Sequence, residues 1–157
     1  MVTSGRIITC DKDWIYSHEP KPLAETIAPG RYPVALCLSH IVYSSGEKGR
    51  IIIQAALIID DTLPAYWKYT GSYEIYSGTG CYADADILYH LADDETDRSY
   101  FSHGKVWTNT CIDAVTGLNI MTFWLDHANV NAECYFGYNQ AGHIVGLMTD
   151  FHVFLRE

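Results

Sequence analysis

Two acid–histidine pairings carry the clearest potential for chemistry. Asp126-His127 are adjacent after a strand-like run, flanked by Asn129 and Asn131, with Glu133 opening the next strand. A carboxylate that orients an imidazole makes a general acid/base pair, because histidine titrates near neutrality. Neighbouring strand residues point to opposite faces, so contact within this pair needs a loop conformation, and an exposed turn accounts for the same dipeptide. Asp150 and His152 are two apart and so share one strand face, while Thr149, Phe151 and Val153 take the other. With Phe151, Val153 and Leu155 turned to the core, the pair either faces a cavity or sits on a solvated face.

Aromatic residues are the second resource. Twelve tyrosines, four tryptophans and five phenylalanines supply large apolar surfaces, many with a polar tip, which suits small-molecule pockets, protein interfaces and cores alike. Tyr76, Thr79, Tyr82, Trp124 and Tyr135 are the candidate ligand-binding residues. The Gly78-Thr79-Gly80 step could offer backbone amides to an anion. However, neither the Walker nor the dinucleotide spacing is present, and Asp84 and Asp86 place negative charge where a phosphate would sit. The seven histidines form no H-x-H or H-E-x-x-H, so no metal site is expected, and no cofactor motif is present. Gly-x-Ser-x-Gly is also absent, which leaves covalent hydrolase chemistry without support.

The elements that must position these residues are mostly strands. Four prolines at positions 20, 22, 29 and 33 make residues 17–33 an ordered loop. Residues 34–42 and 50–59 form a hairpin across the polar turn 44–49, and the second strand is apolar enough to be covered on both faces. Residues 66–77 and 117–125 are further strands. A hairpin joins 133–138 to 143–155 across Asn139-Gln140-Ala141-Gly142. One helix is expected over 84–92, capped by Asp84, with Ile87, Leu88 and Leu91 at helical spacing. The acidic stretch after it, Asp93-Asp94-Glu95-Thr96-Asp97, is a solvated loop. No internal repeat is visible. The fold class is α+β, mainly β: an antiparallel sheet or two-sheet sandwich or barrel-like domain with one short helix, in a single domain over 1–157.

Composition narrows the partners. Ten Lys and Arg against nineteen Asp and Glu leave a formal charge of −9, which opposes binding to a phosphate backbone or an anionic membrane and favours a basic protein or a cationic small molecule. The longest apolar run, 51–59, is about half of a membrane span. No signal-peptide core is seen, so a cytoplasmic protein is expected. Five cysteines (Cys10, Cys37, Cys81, Cys111, Cys134) without a C-x-x-C form neither a disulfide framework nor a zinc site, and are read as buried or idle thiols.

Four motifs in order, Ser4-Gly5-Arg6-Ile7-Ile8-Thr9-Cys10-Asp11, Ala28-Pro29-Gly30-Arg31-Tyr32-Pro33-Val34, Ser77-Gly78-Thr79-Gly80-Cys81-Tyr82-Ala83-Asp84 and Tyr135-Phe136-Gly137-Tyr138, followed by Gly142 and Thr149-Asp150-Phe151, span nearly the whole chain. Together they resemble the domain-of-unknown-function family numbered 4241. The resemblance implies a compact β-rich domain and no particular reaction. Where that family carries Gly-Trp-Gly-Asp-Gly, this chain has Phe123-Trp124-Leu125-Asp126-His127-Ala128-Asn129, so a glycine-rich loop has become bulkier and gained a histidine.

Two functional expectations follow. One is a small-molecule-binding domain, extending to a cofactor-independent acid/base enzyme (isomerase, cyclase or hydrolase) using Asp126, His127, Asp150 or His152. The other is an acidic interaction protein, such as an immunity protein neutralising a basic toxin.

Overall fold

The computed structural model describes residues 1–17, 20–91, 106–125 and 129–152. Nine strands and two short helices follow one another along these residues. They are β1 (Ile7–Asp11), α1 (Trp14–Ser17), β2 (Val34–Val42), β3 (Lys48–Ile58), β4 (Tyr66–Ile75), β5 (Thr79–Asp84), α2 (Ile87–Leu91), β6 (Trp107–Asp113), β7 (Leu118–Trp124), β8 (Val130–Tyr138) and β9 (Ile144–Asp150).

The strands form two antiparallel sheets, one ordered β1-β5-β7-β6 and the other β2-β3-β9-β8-β4. Period-two alternation decides what each face meets. Ile7, Tyr82 and Phe123 of the four-stranded sheet pack against Ile52, Ala55, Leu57, Phe136 and Leu147 of the five-stranded one. The opposite face of the four-stranded sheet carries Ile8, Cys10, Cys81 and Ile120, and α1 and α2 cover it with Ile15, Ile87 and Leu91. The domain is thus a mainly β sandwich of three layers, with both described helices on one side. Among the described residues no helix is long and apolar enough to cross a membrane.

The expected hairpins are present, β2–β3 across 43–47 and β8–β9 across 139–143. The proline-rich loop is ordered because it runs beside β1: Leu23 N donates to Ile7 O (2.8 Å), Ile27 N to Gly5 O (2.8 Å) and Gly30 N to Val2 O (2.9 Å). Four expectations need correction. The helix is shorter than 84–92, because Asp84 ends β5 and helical geometry begins only at Ile87; a second short helix, α1, is also present. Thr79 and Gly80 belong to strand β5 rather than to a loop before a helix. The last strand ends at Asp150, since His152 adopts φ +49°.

The fourth correction concerns repetition. Ser4-Gly5 to Asp11 and Ser77-Gly78 to Asp84 are two copies of Ser-Gly-x5-Asp, related by a local twofold through the β1–β5 pair, where Thr9 opposes Tyr82. Each copy's aspartate binds the start of the other. Asp11 accepts from Tyr76 N and Ser77 N (both 2.7 Å) and from the Ser77 hydroxyl (2.7 Å). Asp84 accepts from Thr3 N (2.9 Å), Ser4 N (3.0 Å) and the Ser4 hydroxyl (2.8 Å). Each also turns its own chain, taking Asp13 N and Asp86 N (both 2.8 Å), into the helix that follows. Both carboxylates are buried, and this saturation by donors is what makes burial of a charge tolerable. Gly5 and Gly78 sit at φ +80° and +74°, and a Cβ on Gly5 would stand 2.5 Å from Ile27 O.

Candidate functional site

Asp150 and His152 do come together, by a route other than strand periodicity. On the outward face of the five-stranded sheet, register aligns Gln54, Asp150 and Glu133 in one row across β3, β9 and β8. Gln54 Nε2 donates to Asp150 Oδ2 (3.2 Å). Just past β9, His152 N donates to Asp150 Oδ1 (2.8 Å), and the left-handed turn folds the ring back over the row. Nε2 then lies 3.0 Å from Glu133 Oε2 and Nδ1 3.9 Å from Asp150 Oδ1. The buried Nε2 makes no aligned hydrogen bond, so its contact with Glu133 is one of proximity. The Tyr135 hydroxyl donates to the same Glu133 oxygen, and Tyr69 meets the Tyr135 ring edge-on at 5.8 Å.

These contacts set the electrostatics. The Tyr135 hydroxyl, and after it His152, hold the Glu133 carboxyl below the usual glutamate range. Glu133 in turn pushes the Tyr135 phenol up to about 12. Near neutrality Glu133 is therefore an ionised acceptor and Tyr135 a protonated donor. Non-glycine residues in the left-handed region are uncommon, and such strain clusters at functional positions.

Asp126 and His127 lie outside the described residues. The candidate ligand-binding residues do not share one surface. Tyr135 belongs to the row above. Tyr76 is exposed, bonded to Glu74 and packed 5.6 Å from Trp14. Thr79 and Trp124 oppose each other on β5 and β7. Tyr82 is buried between the sheets, where its hydroxyl donates to Ala55 O (2.9 Å) or Thr149 Oγ1 (2.7 Å).

A second feature has the shape of a ligand site. The two sheets splay apart where edge strand β2 faces β6 and β7, opening a cleft of about 500 Å³ lined by Tyr32, Val34, Leu36, Leu38, Trp107 and Met121, with Pro33, Asn109 and Asn119. In a closed sandwich these inward positions would be covered, yet Leu38 is 42% and Trp107 52% exposed. Asn119 Nδ2 donates to Asn109 Oδ1, setting an amide pair against the apolar wall. A narrower recess of about 50 Å³ shares Tyr32, Val34, Asn119 and Met121 with the cleft and reaches Tyr82. Neither cavity is lined by Glu133, Asp150 or His152. No group of three or more His, Cys, Asp or Glu among the described residues is arranged to hold a metal.

No family model, curated protein or solved structure matches the chain.

Sequence reasoning missed Gln54 and Glu133 as partners of Asp150, although a glutamine interrupting the apolar run 51–59 was a visible signal. It missed the cleft because Leu36, Leu38 and Trp107 look like ordinary core residues, and nothing local encodes how far two sheets diverge.

Proposed function

We propose that this chain binds a small, uncharged organic molecule in the cleft between β2 and β6–β7. The observation that carries this reading is the exposed inward-facing apolar wall around a ligand-sized gap, with the Asn109–Asn119 amide pair as its polar feature. Mostly apolar clefts of about 300–1,000 Å³ with a few convergent polar groups are the usual form of ligand sites. Among the described residues no Asp, Glu, Lys or Arg lines the larger cleft, so a charged ligand would lose its hydration there without gaining a counter-ion from these side chains. The fitting ligand has a flat or branched apolar body and one neutral polar end, a carbonyl, amide or hydroxyl, for the asparagines.

A screen of neutral aromatic and aliphatic amides, ketones and alcohols by NMR tests this. Expected are saturable shifts at the Asn109 and Asn119 side-chain amides and the Trp107 indole, and at least tenfold weaker binding in Leu38→Asp. Saturable binding that shifts other residues only, or that Leu38→Asp leaves unchanged, overturns it, as does the absence of any saturable ligand.

A second reading rests on the outward face of the five-stranded sheet. There Glu133 and Asp150 share a face with Tyr135 and with the exposed Tyr69 that packs against it. Carboxylates next to aromatic faces suit a cationic group on a small ligand or a basic protein such as a toxin. If that ligand is a substrate, His152 with Asp150 supplies its acid/base group, in the manner of an isomerase, cyclase or hydrolase. Binding by this face would weaken steeply with salt and with Glu133→Gln, whereas the cleft ligand would respond to neither.

A further inference from the structure

Cys10 and Cys81 are directly opposed in the β1–β5 register, with their sulfurs 3.5 Å apart and their positions 71 apart along the chain. Both are buried under α1 and α2, among Ile15, Ala83, Ile87 and Leu91. The remaining thiols are placed differently. Cys37 and Cys111 are exposed, and Cys134 lies between the sheets against the Thr9 and Thr149 hydroxyls, at 3.5 and 3.4 Å. Directly opposed residues on antiparallel strands have Cα atoms about 4.5–5.5 Å apart, inside the range a disulfide spans. Side-chain rotation can therefore bring the two sulfurs to bonding distance without moving the strands.

We propose that Cys10 and Cys81 form a reversible oxidation site, a dithiol that a peroxide or a small disulfide converts into a cross-strand disulfide between β1 and β5. With a peroxide, one thiolate attacks the O–O bond, giving a sulfenic acid and releasing one water. The second thiol then displaces the sulfenic oxygen as a second water, so two electrons leave the sulfurs and reduce one peroxide. With a disulfide such as oxidised glutathione, a mixed disulfide forms and is resolved by the second thiol, releasing two reduced thiols. The contact with Cys81, and after it burial, pushes the Cys10 thiol up, which keeps the reactive thiolate scarce in the closed fold. Oxidation then proceeds through local opening of the β1 edge and is slow compared with oxidation of an exposed thiol. The bond closes a long loop and joins the two Ser-Gly-x5-Asp copies covalently, which stabilises the fold against unfolding. The pair lies on the helix side of the four-stranded sheet, so its oxidation is independent of ligand binding in the cleft.

The test uses the full chain carrying Cys37→Ser and Cys111→Ser, which removes the exposed thiols. The folded protein is treated with hydrogen peroxide or oxidised glutathione, alkylated, and digested without reductant for mass spectrometry. Expected are a Cys10–Cys81 linked peptide that disappears with dithiothreitol, and a denaturant midpoint that rises on oxidation and falls back on reduction. The link should be lost in Cys81→Ser. Two results would overturn the proposal: both cysteines remaining alkylatable after oxidant treatment, or one advancing to sulfinic acid with no link. Should the double variant fold poorly, the same peptide map on the unsubstituted chain decides between these outcomes.

Discussion

Two pairs of carboxylates, one inside the fold and one on a sheet face, are held in contrasting ways. Asp11 and Asp84 are buried and take their hydrogen bonds chiefly from backbone amides of a distant segment. Glu133 and Asp150 lie on a half-open sheet face, and the groups around their oxygens are largely side chains: Tyr135, Gln54 and His152. A carboxylate bound to backbone cannot exchange partners without unfolding the segment it holds. One bound to side chains can trade them for a ligand by rotamer changes. The motifs that look most like binding loops, Ser4-Gly5 and Ser77-Gly78, therefore serve the fold, while the groups free to exchange lie at unremarkable strand positions.

Several substitutions break or sharpen this contrast, and the largest effect belongs to the buried pair. Asp11→Ala or Asp84→Ala leaves several buried donors unsatisfied and should cost about 3–5 kcal/mol in denaturant unfolding. If the local twofold is energetically real, the two costs should agree within about 1 kcal/mol; a much larger difference would mean that only one clamp matters. Next come Gly5→Ala and Gly78→Ala, each forcing a side chain into the left-handed region at a cost of about 1–2 kcal/mol. Gly5→Ala should be the worse of the two because of its 2.5 Å approach to Ile27 O.

Glu133→Gln stands at the small end, with little change in stability expected at neutral pH. Its signature is in the pH dependence. The folded-state value of Glu133 lies below the ordinary 4.5, so its stabilisation is complete above that pH and fades as pH falls through the lowered value. Removing the carboxyl should flatten the stability curve below about pH 4.5. Tyr135 behaves with the opposite sense. Its phenol is raised from 10 to about 12, so the folded state retains a proton that the unfolded chain releases. The associated stability is present below pH 10 and lost as pH rises towards 12, and Tyr135→Phe should remove that alkaline decline while leaving the fold at neutral pH intact.

The sequence is unevenly readable. β2, β3, β4, β7, β8 and β9 announce themselves through long apolar or aromatic runs bounded by turn residues, because each spans most of a sheet. β1 and β5 are shorter, and β5 opens on a threonine and glycine that resemble a loop, while β6 is as long as β7 but mixes Thr108, Asn109, Thr110 and Asp113 among its apolar residues. Asp84 has the composition of a helix cap, yet its carboxylate is claimed by Thr3 and Ser4, a partner too distant in the chain for local spacing to suggest. The Ser-Gly-x5-Asp repeat escapes notice because only three common residue types recur. The Asp150–His152 pairing is legible as proximity, but alternation supplies the wrong reason: a left-handed turn brings the ring back. Glu133 joins them through strand register, and register is a property of the assembled sheet.

The reciprocal clamp also governs the order of assembly. The β2–β3, β6–β7 and β8–β9 pairings join neighbouring strands, whereas β1 finds its strand partner only in residues 80–84. Closing so long a loop is entropically slow, and it yields nothing until both aspartates find their amides. Neither carboxylate can be buried alone, because each satisfies the segment that leads into the other's strand. Docking of the N-terminal strand is therefore expected as a late, all-or-none step, and hydrogen exchange at Ser4 and Ser77 should follow it with a single rate.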